Sequence, residues 1–452
     1  HKMKRLKEVL GGNLQQYTMV LGLIVLVIVF QIASGGKMLT PSNFQNLISG
    51  NAYVLVLAIG MVMVIVVGHI DLSVGSVAGL VGMVVAISCR DFGVPWWVGL
   101  LIGLATGIAV GCWHGFWLAQ MGIPGFITTL AGLLAFRGVV IWISGSISAP
   151  VPSEFKTLGA GYLPEWGPGW TQMNNSTLLL GLIGIAYLVW SQFRKHAKEV
   201  KRGNDAPMWV PVTRSIGIAV VIGYLAYLFG SGRPGTSFPI PGVILLVLVI
   251  IYHVITQRTT FGRHVYAVGG NRAAAALSGV NTKKTYFLVM LNMSFLAAIA
   301  GILFVGRATS AGPQDGNMWE LDAIAAVFIG GAAVSGGIGT VFGSVIGGLV
   351  MAVLNNGLML MGVGQDKTAV IKGLVLLIAV AFDVYNKNHG KPSISGHLAK
   401  KMQAGKDGES AAVLSPASAA AASVSAEPGS APAAGPVEPD SNPTDPLPPT
   451  TK

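Results

Sequence analysis

Residues 45–89 read QNLISGNAYVLVLAIGMVMVIVVGHIDLSVGSVAGLVGMVVAISC. One helix of that length, rising about 1.5 Å per residue, would run roughly twice the ~30 Å of a bilayer's hydrocarbon. The stretch is therefore read as two membrane-spanning helices, 45–67 and 72–89, joined by a break at Gly68-His69-Ile70-Asp71-Leu72-Ser73-Val74-Gly75. Residues 321–361 repeat the pattern and are read as spans 321–340 and 341–361, with their own break at Gly330-Gly331-Ala332-Ala333-Val334-Ser335-Gly336-Gly337. Laid over one another, the two breaks match Gly68, Ser73 and Gly75 to Gly330, Ser335 and Gly337. Both copies are expected to run from outside to inside, so the repeat is of the parallel kind that transporters build around a central pathway.

Further apolar stretches lie at 17–33, 96–118, 124–144, 176–192, 209–230, 240–256, 285–306 and 368–385. The basic start before 17–33 is read as preceding a retained first helix. The 452 residues are 52% hydrophobic and only 10% charged, with a mean hydropathy of +0.65. That balance excludes a soluble globular domain and predicts an all-α polytopic membrane protein with ten to twelve crossings. The net charge of +11 does not point to nucleic acid, because the basic residues lie between apolar spans, where they set topology. Cys89 and Cys112 sit in or beside apolar runs and suggest neither a disulfide framework nor a metal site.

With the N-terminus inside, Arg194, Lys195, Lys198, Lys201 and Arg202, then Arg258, Arg263, Arg272, Lys283 and Lys284, fall in cytoplasmic connections. External connections carry only Lys37, Arg90, Lys156, Arg233, Arg307 and Lys367, as the positive-inside rule requires. Both termini are then cytoplasmic. The expected divisions are a cytoplasmic N-terminus (1–16), an N-terminal transmembrane half (17–192), a basic loop with an inserted helix pair (193–256), a polar cytoplasmic segment (257–284), a C-terminal half (285–386) and a tail (387–452). The tail is rich in Ala, Pro and Ser from about Gly405, and disorder is expected there. The external segment from Ser144 to Ser176, with its prolines and tryptophans, predicts turns and an interfacial piece.

Charges at bilayer depth are costly and need partners. The ionisable residues in or beside spans are Asp71, Arg137, Asp322, Lys372 and Asp383, too few and too scattered for an ion-coupled relay. Gly103, Gly107 and Gly111, and likewise Gly339, Gly343 and Gly347, form small-residue ridges read as close helix packing within one chain. No GxxxxGK[ST], HExxH or GxSxG motif is present, so catalysis by this chain is not expected. The segment TTFGRHVYAVGGNRAAAALSGVNTKKT (259–285) is polar and free of acids. Its Ala-rich centre, Asn271–Leu277, reads as a short helix between Gly269-Gly270 and Gly279, the form of a docking helix seated on a partner protein.

At these motifs the chain resembles the permease subunits of bacterial carbohydrate ABC importers of the ribose/xylose type, most of all the xylose and multiple-monosaccharide branch. The resemblance rests on GHIDLSVGSVAGL (68–80), PGFITTLAGLLAFRG (124–138), TTFGRHVYAVGGNRAAAALSGV (259–280), ELDAIAAVFIGGAAVSGGIGTVFGSVIGG (320–348) and NNGLMLMGV (355–363). It implies that Gly269, Gly270, Asn271, Ala274, Ala275, Ser278 and Gly279 form the region that couples to a separate ATP-binding subunit. ATP and Mg would be held there, with no cofactor on this chain. It also implies an extracytoplasmic sugar-binding protein, a second permease copy and a place in the bacterial inner membrane. Asn51, Gly68, Asp71, Ser73, Gly75, Gly330, Ser335 and Gly337 are the candidates for helix breaks and pathway lining. His69 departs from the family pattern, where glycine is common, and is expected to cap the break.

Overall fold

A computed structural model describes residues 14–389. The expected tail beyond 389 and the first thirteen residues lie outside the described residues. The chain divides at Val384, and only the last turn of the final helix is described in the second unit.

The protein is an all-α polytopic membrane protein: ten described helices are long and apolar enough to cross a membrane, and one more is apolar over Thr18–Ala33. In chain order the helices are α1 Leu14–Ala33, α2 Pro41–Val66, α3 Val74–Asp91, α4 Trp96–Gly115 with a π turn Phe116–Gln120, α5 Gly125–Ser144, α6 Phe155–Ala160, α7 Asn175–Lys201, α8 Trp209–Gly230, α9 Ile240–Arg258, α10 Thr260–Gly270, α11 Arg272–Leu277, α12 Thr282–Ala308, α13 Trp319–Ile329, α14 Val341–Leu360 and α15 Gln365–His389. Two short strands, β1 Ala149–Pro150 and β2 Ser310–Ala311, pair antiparallel.

Helices α2, α12 and α14 form the buried centre, whereas α7, α8 and α15 turn most of their apolar surface outward. The small-residue ridges explain how the centre closes. A Cβ at Gly107 would lie 2.5 Å from the Ala298 methyl, and one at Gly111 2.7 Å from the Leu291 Cα, so this ridge seats α4 on α12. Gly343 and Gly347 abut the backbone of Gly330 and Ala326 in the same way, bringing α14 against α13. Both ridges are used inside one chain.

Three features differ from the sequence expectation. Helix α7 continues to Lys201, so Arg194, Lys195, Lys198 and Lys201 sit on its last turns rather than in a loop. Cations there are favoured by the negative end of the helix dipole, and Arg194 also stacks over Trp190 at 5.0 Å. Residues 321–340 are not a crossing: α13 has eleven residues, about 16 Å at 1.5 Å per residue, and then gives way to an irregular loop. The loop holds Gly331, Gly336 and Gly337 at φ +97°, +85° and +79°, a conformation no helix contains. The segment after Ser144 includes a short helix, α6, whose Phe155 is fully buried and whose Gly159 packs on the end of α12.

The first break is more than a kink. His69 packs edge-on against Tyr286 near the start of α12, while Ala78 abuts Gly301 much further along that helix. Fifteen residues of α12, about 22 Å, are thus matched by nine residues of this segment, which requires 69–73 to be extended. The chain returns from the end of α2 to half-depth before α3 begins. Residues 309–318 approach the same level from the opposite end of α12. There Gly316 meets Gly75 backbone to backbone, and Trp319 at the head of α13 packs on Tyr53, half-way along α2, at 4.2 Å. The N-termini of α3 and α13 therefore converge in the middle of the bundle.

Candidate functional site

Helices α10 and α11 are built by local capping. Thr259 accepts from the Gly262 amide at 3.2 Å, Asn271 from Ala274 at 3.0 Å and Asn281 from Lys284 at 3.1 Å, so side chains satisfy amide donors at the starts of α10, α11 and α12. Gly279 at φ +93° ends α11, and the Val280 amide returns to the Ala275 carbonyl. The expected short helix is present within a residue of its predicted bounds. That 260–270 is helical as well was not expected; the signal was Gly262, Val265 and Val268, one buried stripe at helical spacing.

On α11, Asn271, Arg272, Ala274, Ala276, Leu277, Ser278 and Gly279 are exposed, Leu277 to 91%. Ala275 is the exception, 5% exposed and facing the body of the protein. A large side chain there would unseat α11, so Leu277 is the position that probes its outer face.

The tertiary fold brings the coupling candidates and the break candidates together. A Cβ at Gly269 would lie 1.7 Å from the Val66 carbonyl oxygen and 3.0 Å from the Gly337 nitrogen. At Gly336 it would lie 3.1 Å from the Gly269 oxygen and 3.3 Å from the Gly68 Cα. The Gly337 amide donates to Val66 O at 2.8 Å, and the Tyr266 hydroxyl donates to Gly339 O. Three chain segments, the end of α2, the end of α10 and the 330–340 loop, thus meet backbone to backbone, with the Tyr266 hydroxyl as an added tie. A second link runs through side chains: Arg272 lies 4.8 Å over Tyr286, whose ring meets His69 at 4.5 Å. His69 caps α2 through its backbone, its amide donating to the Val64 carbonyl at 3.0 Å behind Gly68 at φ +100°, while its ring fills this contact.

Burial, with Arg272 nearby, pushes the His69 imidazole down to about 4. In the unfolded chain it takes a proton near its ordinary value of 6.5, so its contribution to stability is fully present above pH 6.5 and is lost as pH falls towards 4. The expected result is a thermal midpoint that declines through that window in the parent and declines less in His69→Gln. Equal declines would remove His69 from this role.

The remaining candidates sit elsewhere. Gly330 packs on Gly343. Ser335 is exposed on the loop, beside Val334 and Ile338. The two breaks adjoin at Gly68 and Gly336, yet Gly75 lies at half-depth while Gly337 lies at the α10–α11 end, so overlaid residues do not occupy equivalent places. Asn51, Asp71 and Ser73 are buried. Asn51 donates to the Leu47 carbonyl at 2.9 Å within α2, while Asp71 and Ser73 serve the break: Ser73 donates to Asp71 Oδ1 through its amide at 2.8 Å and its hydroxyl at 2.6 Å. The Leu72 amide donates to Thr129 Oγ1 at 3.1 Å. Extended backbone at this depth needs such partners because no lipid group can supply them.

Arg137, isolated in an apolar run, finds its partners here. Its Nη1 donates to the carbonyls of Pro313 at 3.0 Å and Asp315 at 2.7 Å, holding the 309–318 segment at half-depth. Lys372 pairs with Asp322 at 2.9 Å, joining α15 to α13.

A bundle of this length with two interrupted crossings, and a capped, exposed helix pair joined to both interruptions, has the organisation of a transport component. The chain belongs to the family described as the permease component of the branched-chain amino acid transport system, whose profile matches residues 43–380. Among curated relatives it is 37% identical to the xylose transport system permease protein of Haemophilus influenzae over 386 residues, 85% of this chain and 99% of the relative. It is 36% identical to the xylose permease of Escherichia coli K12 over 83% of this chain and 93% of the relative. Identity to the ribose import permease of Bacillus subtilis is 32%, over 82% and 94%. No solved structure matches the chain.

Proposed function

We propose that this chain is the membrane-spanning permease subunit of an ATP-driven monosaccharide importer, and that α10 and α11 dock on a separate ATP-binding subunit. The observation that carries the reading is the outer face of α11, exposed along its length while its base is locked to both helix breaks. The relatives' names, xylose and ribose permeases, support a sugar as cargo. In this reading the α10–α11 end and both termini are cytoplasmic, in a bacterial inner membrane. The partner holds ATP and Mg, a sugar-binding protein delivers substrate from outside, and a second permease copy completes the assembly. Force on α11 reaches Val66 and the 330–340 loop through backbone contacts, which lack the soft torsions of side chains. Closure of the ATPase can thereby move the two interrupted crossings together, opening one face at a time.

The test is uptake of labelled xylose, ribose, glucose and leucine into proteoliposomes holding this chain, its ATP-binding subunit and its binding protein. Sugar uptake that requires ATP and the ATPase is the expected result. Uptake by the chain alone, or of leucine in preference to every sugar, would overturn the proposal. Within that assay Leu277→Glu, which leaves every internal contact intact, lowers uptake at least tenfold and removes the stimulation of ATPase activity by sugar-loaded binding protein. Undiminished uptake and stimulation would eliminate the docking role of α11.

A further inference from the structure

We infer that Gln314, Asn317 and Glu320, held at half-depth by Arg137, line the path of the sugar and bind its hydroxyl groups. The inference rests on the permease reading and assigns its substrate contacts.

The argument begins with depth. Glu320 follows Trp319, which packs on the midpoint of α2, and its carboxylate lies against Gly75 at the head of α3. Gln314 and Asn317 flank Gly316, whose backbone is pressed onto Gly75. All three residues are therefore level with the middle of the bundle, where a surrounding bilayer has no water to offer. Yet Gln314 and Asn317 are exposed at the surface of the chain, and their side-chain amides have no hydrogen-bond partner among the described residues. Irregular backbone and free amides at that depth are tolerated only against protein or a water-filled cavity, never against lipid.

The segment is also rigid. Arg137 binds two of its carbonyls, the Asp315 carboxylate accepts from the Gly312 amide at 2.8 Å, and β2 anchors its start to β1. Thr309 and Met318, at its two ends, are held at φ +63° and +66°, a region that side chains larger than glycine's enter at a cost. A packed, strained segment that presents unpaired amides outward is built to present them.

The chemistry favours a neutral polyol. Amides donate and accept, and Glu320 accepts, which suits hydroxyl groups. A zwitterionic amino acid would need a cation for its carboxylate, whereas Gln314, Asn317 and Glu320 supply none and Arg137 spends its Nη1 on two backbone carbonyls. A few exposed polar groups also suit a path that must release what it takes up.

The experiment uses the complete complex in proteoliposomes, with Cys89→Ser and Cys112→Ser as the background. Gln314→Cys and Asn317→Cys are treated with a charged, membrane-impermeant maleimide beside Leu101→Cys, a position 56% exposed on the apolar surface of α4. Both test thiols should react at least tenfold faster than the control, xylose should slow them, and modification should stop uptake. As a second reading, Asn317→Leu should raise the KM for sugar at least fivefold while stimulation of the ATPase by loaded binding protein persists. Thiols no more reactive than the control, in a complex with normal uptake, would overturn the inference. So would a disulfide between two copies that excludes the reagent, which marks a dry seam. Loss of ATP-dependent uptake in the Cys-containing parent would instead bring down the permease reading beneath it.

Discussion

Under the proposed function, Gly269→Ala is expected to abolish ATP-dependent uptake, and Gly270→Ala, one residue away, to leave it within about twofold. The two glycines are adjacent in sequence and opposite in surroundings. A methyl on Gly269 would lie 1.7 Å from the Val66 carbonyl oxygen, whereas one on Gly270 would meet nothing within 4 Å. Carbon and oxygen cannot approach much closer than ~3 Å, so α10 must withdraw from the end of α2 by more than an ångström. Overpacking of this kind typically costs about 1–3 kcal/mol. The larger loss is functional, because withdrawal also separates α10 from Gly337 and so opens the backbone junction that ties α11 to both breaks. The measurement is uptake by the two variants in proteoliposomes, with thermal midpoints in detergent to show that the bundle remains folded. Equal effects of the two substitutions would sink the backbone-junction account.

The second large effect concerns the ion pair between Lys372 and Asp322, 2.9 Å apart with 18% and 21% of their side chains exposed. Breaking a fully buried pair from one side costs about 3–5 kcal/mol, since the survivor is left charged without a partner. With a fifth of each side chain still accessible, the lower end of that range applies. The pair matters here because α13 is short and α15 turns its apolar span outward, leaving few other contacts to fix their register. Asp322→Asn and Lys372→Met should each lower the midpoint of thermal inactivation in detergent, and the double variant should recover most of the loss. A double variant as damaged as the sum of the singles would show that the two charges act separately.

Much of this was legible in the sequence. The apolar stretches near 41–66, 96–120 and 282–308 announced their helices because length and hydropathy are local properties that the bilayer enforces residue by residue. The short helix at Arg272–Leu277 was equally local, written in Asn271, four alanines and Gly279. The stretch 321–340 misled because its apolar composition satisfies a hydropathy reading, while the clustered left-handed glycines that stop the helix at Ile329 are a backbone matter. Gln314 and Asn317 read as an ordinary loop, since nothing in PQDGN indicates depth.

Local chemistry along the chain is enough to mark a helical membrane protein, to place nearly all its crossings and to show that 259–285 carries a capped, basic, acid-free helix. Helix packing, by contrast, is what sets Gly269 against Val66 and Gly337, brings Arg137 to the carbonyls of Pro313 and Asp315, and turns Ala275 inward and Leu277 out. The difference is one of range. Hydrophobic length and capping act within a few residues of chain, whereas a close approach between backbones far apart in sequence depends on how every intervening helix packs.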